Sequence, residues 1–226
     1  MKTRLLFLFL LVYGIQFAQI TDSKNIVATD KKLELLADGY IFTEGPISDK
    51  NGNVFFTDQP NNKIIRWDAE SGKTAVFTDD SGRSNGLYFD KKGNLIACAD
   101  MDNQLWQFDK KGKHKLIYED KINAHNGPND LWIDAKNGIY FTDPLYVRNY
   151  WQRDSISKRT GKHVYYLSPD RKKITVVDDK LVQPNGIIGT PDGKKLYVAD
   201  INDSKTYVYD IQPDATLSNR RLFCEM

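Results

Sequence analysis

The chain is poor in the groups that build reactive or cross-linked sites. Its 226 residues include 2 cysteines, Cys98 and Cys224, and 3 histidines, His114, His125 and His163. Two cysteines make no disulfide framework. Leu95-Ile96-Ala97-Cys98-Ala99 reads as a buried strand in which Cys98 packs as a small hydrophobe. The histidines show no metal-ligand spacing, which argues against a zinc-type cluster. Excess charge of one sign is also missing, since 32 Lys and Arg stand against 30 Asp and Glu. A basic surface that displaces counterions from nucleic acid is therefore not expected. The one sustained apolar run, Leu5 to Tyr13, has nine residues, where a membrane-spanning helix needs roughly 20. Preceded by Met1-Lys2-Thr3-Arg4, it reads as a signal peptide over residues 1–19, with a domain over 20–226. Removing that leader takes away Lys2 and Arg4 and no acid, leaving 30 bases against 30 acids. The expectation is an exported protein, periplasmic or secreted, with no membrane span and no nucleic-acid partner. A hydrophobic content of 40% with 12% aromatics supplies enough apolar surface for a folded core.

What the chain does have is a repeat. Four stretches align: Gly52-Asn53-Val54-Phe55-Phe56-Thr57-Asp58, Gly93 to Asp100, Gly138-Ile139-Tyr140-Phe141-Thr142-Asp143 and Gly193 to Asp200. Each is a turn glycine followed by a β-branched, aromatic or aliphatic run that closes on Asp. The closing aspartates are 42, 43 and 57 residues apart, and the long interval holds an insertion placed at Arg148–Lys162. Further alternating runs follow each Asp, at Lys63–Asp68, Gln104–Asp109, His163–Leu167 and Thr206–Asp210, then at Thr74–Asp79, Lys115–Glu119, Lys173–Asp178 and Arg220–Glu225. No segment has a helical period. Strand signals alone, at a period near 42, match the four-stranded blade of a β-propeller, typically ~40–45 residues. The fold class is all-β, a propeller with about four blades present.

At 14 or 15 residues before each closing Asp stands a polar residue at the start of a strand: Glu44, Asn85, Asn129 and Asn185. Successive blades of a propeller bring equivalent positions around the central channel, so one carboxylate and three amides would converge. Hard oxygen donors without His or Cys suit Ca²⁺ or Mg²⁺. Asn-Gly and Pro-Asn are also strong turn formers, but a Glu in register with three Asn favours the common site.

These residues resemble a known family. Glu44-Gly45-Pro46, Asn126-Gly127-Pro128-Asn129-Asp130-Leu131, Gly138-Ile139-Tyr140-Phe141-Thr142-Asp143-Pro144, Pro184-Asn185-Gly186-Ile187 and Leu196-Tyr197-Val198-Ala199-Asp200 look like the senescence marker protein/gluconolactonase/luciferin-regenerating enzyme family, from about Leu33 onward. The resemblance implies a six-bladed propeller holding one divalent cation, Ca²⁺ first, with Mg²⁺, Mn²⁺ or Zn²⁺ as alternatives. It implies hydrolysis of sugar lactones, with water attacking a metal-polarised carbonyl. By motif, Glu44, Asn129 and Asn185 match the metal ligands. Asn85 and His125 are expected at the substrate, and Asp130 is the catalytic candidate within the chain. The family's remaining ligand and usual base, an Asp of the following blade, is expected beyond Met226, so the sequence reads as the first four of six blades. Open blade edges would then favour self-association. The alternatives are a non-catalytic propeller that binds a sugar or a partner protein, and an inactive fragment lacking the last ligand.

Other signals carry less. Gly82-Arg83-Ser84-Asn85-Gly86 matches a nucleophile elbow, but a strand rather than a helix follows it. Asp49-Lys50-Asn51-Gly52-Asn53 starts like a calcium loop yet lacks its later Gly and Glu. In the insertion, Arg148, Arg153, Lys158, Arg159 and Lys162 with Tyr146, Tyr150 and Trp151 would either lid the substrate entrance or form a solvated loop. Trp67, Trp106 and Trp132 sit at core strand positions.

Overall fold

The computed structural model describes residues 32–122, 124–151 and 161–226. The expected leader and residues 152–160 of the insertion lie outside the described residues. Residues 32–35 fall in a separate N-terminal unit and carry neither helix nor strand; the fold below is that of the unit Leu36–Met226.

Among the described residues, sixteen strands form four antiparallel sheets, each a simple meander. The first blade is β1 (Thr43–Ser48), β2 (Val54–Asp58), β3 (Lys63–Trp67) and β4 (Thr74–Thr78). The second is β5 (Ser84–Phe89), β6 (Leu95–Ala99), β7 (Gln104–Phe108) and β8 (His114–Tyr118). The third is β9 (Leu131–Ile133), β10 (Ile139–Asp143), β11 (His163–Leu167) and β12 (Ile174–Asp178). The fourth is β13 (Pro184–Gly189), β14 (Lys195–Asp200), β15 (Lys205–Ile211) and β16 (Leu217–Glu225). The strands expected from alternation are found within a few residues of their expected ends. Not anticipated are short 3-10 helices at Gln59–Asn61, Asp100–Asp102 and Ile201–Asp203, which join second to third strands in blades one, two and four. In blade three the insertion takes that place.

Blades stack because their middle strands are apolar on both faces. In β6, Leu95, Ala97 and Ala99 pack toward Phe55 and Ile64 of blade one, whereas Ile96 and Cys98 pack toward Leu131, Ile139 and Phe141 of blade three. In β10, Ile139 and Phe141 face blade two, and Tyr140 faces Leu196, Val198 and Tyr209 of blade four. Each such side chain withdrawn from water contributes roughly 1.5–3 kcal/mol. Trp106 and Trp132 are buried as expected, and both cysteines are free, with Cys98 inside the core. Burial, followed by the nearby carboxylates of Asp130, Asp143 and Asp100, pushes the Cys98 thiol well up, so it stays protonated and inert.

The aspartates that close the repeat are structural. Asp58 Oδ1 accepts from the Ile41 and Phe42 amides, both at 3.2 Å. Asp143 accepts from Asn126 N at 3.0 Å and Gly127 N at 2.9 Å. Asp200 accepts from Val182 N at 2.8 Å and Gln183 N at 2.7 Å. In three blades, then, a buried carboxylate at the end of the second strand fixes the segment entering the first. An orphaned buried donor costs about 1–3 kcal/mol, so Asp143→Ala is expected to lower stability by about 2–5 kcal/mol in urea denaturation. A loss below about 1 kcal/mol would show that the carboxylate is dispensable.

Candidate functional site

The polar residues singled out by register lie at irregularities of the first strands. Pairing shifts between Glu44 and Ile47 in β1, between Ser84 and Leu87 in β5, and between Pro184 and Ile187 in β13. Glu44-Gly45-Pro46, Asn85-Gly86 and Asn185-Gly186 occupy those bulges, a backbone device that re-aims a side chain and interrupts the ladder. In blade three, Asn129 and Asp130 lead into β9, with Asn129 N donating to Thr142 O at 2.9 Å and Thr142 N to Asp130 O at 3.0 Å.

Backbone groups released by this geometry are used between blades. The Thr57 hydroxyl lies 3.1 Å from Glu44 O and 3.0 Å from Asn85 O, linking blades one and two. Gly86 N donates to Asn129 O at 2.7 Å, linking two and three. Thr142 Oγ1 donates to Asn185 O at 2.7 Å, linking three and four. This continuous belt sets Glu44, Asn85, Asn129 and Asn185 side by side in blade order, and their side chains remain to be accounted for. Asn85 is 2% and Asn129 5% exposed, yet neither amide side chain has a hydrogen bond to any described residue. Glu44 Oε2 has only a long contact, 3.4 Å from Gly45 N. Asn185 Nδ2 donates to Tyr146 Oη at 3.1 Å, which leaves its carbonyl oxygen open.

Buried amides normally find partners, so a set lacking them suits an exogenous ligand for hard oxygen donors. One carboxylate and several amide oxygens fit Ca²⁺ or Mg²⁺. Among the described residues no group of three or more His, Cys, Asp and Glu could hold a metal ion, so a cation here depends on asparagine.

Asp130 occupies the position where the other three blades have Gly45, Gly86 and Gly186. Its carboxylate is half-buried against the neighbouring blades: Oδ1 accepts from Leu131 N at 2.9 Å and Oδ2 from Ile187 N at 3.0 Å. Burial pushes this carboxyl up to about 6 and the charge of Glu44 acts the same way, against the pull of the two amides. Gly86 of blade two makes room for it, and Gly45 makes room in turn for the backbone of Asn85 and Gly86. A Cβ on Gly86 would lie 2.4 Å from Asp130 Oδ1 and 2.6 Å from Asp130 Cα, and one on Gly45 would lie 2.4 Å from Asn85 O.

His125 is a correction. It is not at the channel mouth, because its side chain is 0% exposed and its Nδ1 lies 3.2 Å from Asp143 Oδ2. The rings of Tyr165, Phe141 and Tyr118 enclose it at 4.9, 5.2 and 5.7 Å. The closing Asp143 gathers donors from residues 125–127, and that draws the imidazole into the core.

Sequence reasoning gave no role to Thr57 and Thr142, although a Thr-Asp pair ending both runs was a visible signal. It also left the insertion undecided between lid and solvated loop. Its described stem crosses the ligand end of the blades. Tyr146 meets Asn185 of blade four, the Arg148 guanidinium lies 5.7 Å from the Phe42 ring beside blade one, and Trp151 Nε1 donates to Asp100 of blade two at 3.0 Å. The Arg83 guanidinium lies 4.3 Å over the Tyr150 ring.

Residues 42–226 match the model of the SMP-30/Gluconolactonase/LRE-like region. A gluconolactonase of Zymomonas mobilis is 27% identical over 215 residues, 87% of this chain and 60% of that protein. A lactonase drp35 of Staphylococcus haemolyticus is 25% identical over 86% of this chain and 59% of its own length. The solved structure of a gluconolactonase from Xanthomonas campestris superposes with a TM-score of 0.77 at 26% identity, over 84% of this chain and 65% of that one. The chain thus spans about 60% of the length of the curated relatives it matches.

Overpacking of this kind costs typically about 1–3 kcal/mol and more where backbone is struck. Gly86→Ala is therefore expected to lower the melting temperature by at least about 4 °C, while alanine at the open turn glycine Gly93 leaves the inter-blade seam untouched. Equal melting of Gly86→Ala and the unmodified protein would contradict the close approach of Asp130.

Proposed function

Because the chain belongs to the SMP-30/gluconolactonase/LRE-like family, we propose that the protein is a divalent-cation-dependent hydrolase of sugar lactones. The observation that carries this reading is the row of Glu44, Asn85, Asn129 and Asn185, fixed by inter-blade hydrogen bonds through their backbones and left with uncommitted side-chain oxygens. The names of the relatives support the substrate class. The donor set supports Ca²⁺ ahead of softer ions.

Glu44, Asn129 and Asn185 would hold the cation, Glu44 supplying the negative charge and the amides fixing the geometry without adding to it. When bound, such an ion polarises a carbonyl and eases ionisation of water. Asn185 is oriented through Tyr146, so its carbonyl oxygen is presented rather than its amide nitrogen. Asn85, more deeply buried than Asn185, is placed to accept from or donate to a hydroxyl of the sugar ring. Asp130 is the carboxylate of the site that is not assigned to the ion. Each of its oxygens accepts one backbone amide and keeps a lone pair for a water or a substrate hydroxyl. Its anchoring across two blades holds it in place as a proton acceptor beside the reacting carbonyl. The basic and apolar leader of residues 1–19 supports an exported enzyme, acting on lactones outside the cytoplasm.

Hydrolysis of D-glucono-1,5-lactone, followed by pH-stat against the spontaneous rate, is expected to be accelerated with Ca²⁺ present and to fall to background after chelation. No acceleration at saturating Ca²⁺, Mg²⁺ or Mn²⁺ would overturn the reading. Separately, Glu44→Gln removes the one carboxylate assigned to the ion and is expected to weaken Ca²⁺ binding by about tenfold or more in calorimetric titration. Unchanged affinity would place the ion elsewhere.

A further inference from the structure

The stem of the insertion and the segment entering β5 each bring an arginine, Arg148 and Arg83, to the end of the blades that carries the candidate site, and a neutral sugar lactone needs neither. Arg148 lies with its guanidinium carbon 5.3 Å from the Tyr146 ring centroid and 5.7 Å from that of Phe42. Tyr146 is the partner of Asn185, so Arg148 sits one side chain away from a residue of the candidate cation set, and Phe42 stands two residues before Glu44 in the chain. Its Nε is buried with no hydrogen-bond partner, and it pairs with no carboxylate among the described residues. Arg83, two residues before Asn85, stacks over Tyr150 and donates to Pro60 O. Aromatic faces, and for Arg83 a backbone carbonyl, hold the two guanidinium groups in place without neutralising them. A partly buried cation left without an anion is costly, and it is the arrangement expected where the anion arrives with the substrate.

We propose that Arg148 is a specificity-determining residue that recognises a carboxylate on the substrate remote from the lactone carbonyl. The preferred class is then a lactone of a sugar diacid rather than of a neutral-ended aldonic acid. The proposal rests on the lactonase reading of the same site and names its substrate class. The guanidinium fork offers parallel N–H donors to a carboxylate, and Arg83 adds a second positive charge at the same end. Together they offset the repulsion that Glu44 and Asp130 exert on an anionic substrate.

A matched pair tests this: D-glucaro-1,4-lactone and D-glucono-1,4-lactone share the ring and differ at C6, carboxylate against hydroxymethyl. The diacid lactone is expected to have the higher kcat/KM by about tenfold or more, the scale of a charge-assisted hydrogen bond. The difference should reside mainly in KM and shrink with added salt. In Arg148→Gln the ratio should collapse toward one, and Arg148→Lys should restore part of it. A purely structural role for Arg148 would lower both substrates in parallel. No preference in the unmodified protein, or a preference that survives Arg148→Gln, overturns the proposal. If neither lactone is hydrolysed, the lactonase reading fails by itself. Calorimetric binding of the same two lactones then decides the arginine: a preference for the diacid lactone that Arg148→Gln abolishes upholds its role, and equal or absent binding refutes it.

Discussion

The fold turns on a carboxylate placed at the end of the second strand in three of the four blades. Asp58, Asp143 and Asp200 each accept two backbone amides from the segment leading into the first strand. Those amides lie where the chain has left one blade and not yet paired in the next, so no ladder is available to them. A buried carboxylate satisfies two at once, and charge-assisted acceptance is stronger than the neutral bond it replaces. The positions of Glu44, Asn129 and Asn185 depend on this anchoring, because each stands two or three residues downstream of the anchored amides.

The belt between blades uses a different economy. Bulges at the starts of β1, β5 and β13 take backbone carbonyls out of their own sheets, and Thr57 and Thr142 give two seams a hydroxyl donor, while Gly86 gives the third its amide. Blades two and four have Ala99 and Ala199 where the others have threonine, so the hydroxyl device appears in alternate blades. With the backbone committed, the side chains of Glu44, Asn85 and Asn129 have little to bind within the protein. The proposed site would thus trade local hydrogen-bond satisfaction for affinity toward an incoming ion or polar ligand, the usual relation between stability and function at a binding centre.

Asp130 and the insertion stem are two departures from the repeat, and the proposed chemistry rests on them. Where three blades have glycine, blade three has a carboxylate, and the absence of a side chain at Gly86 leaves the space it occupies. Where three blades join their second and third strands by a 3-10 helix, blade three sends Tyr146, Arg148, Tyr150 and Trp151 across the ligand end. Both departures fall in the same blade and at the same end of the sheets, which is where the proposed recognition and chemistry would be concentrated.

Much of this was legible in the residues themselves. A turn glycine, an alternating run and a closing Asp, recurring near 42 residues, determine strands, blades and their number, because a pleated strand has period two and a meander keeps its pairings close in sequence. Register alone brought Glu44, Asn85, Asn129 and Asn185 together, since equivalent positions of stacked repeats become neighbours. Other features waited for the tertiary structure. His125 precedes a ligand motif by four residues, yet Asp143 holds it in the core through a contact 18 residues away. The bulges, the room made for Asp130 and the reach of Arg148 to Phe42 are likewise settled by atoms of other blades. Alternation in a sequence reports which face a residue takes within its own sheet. Which atoms that face meets is decided by the stacking of sheets, and there the partners are dozens of residues away.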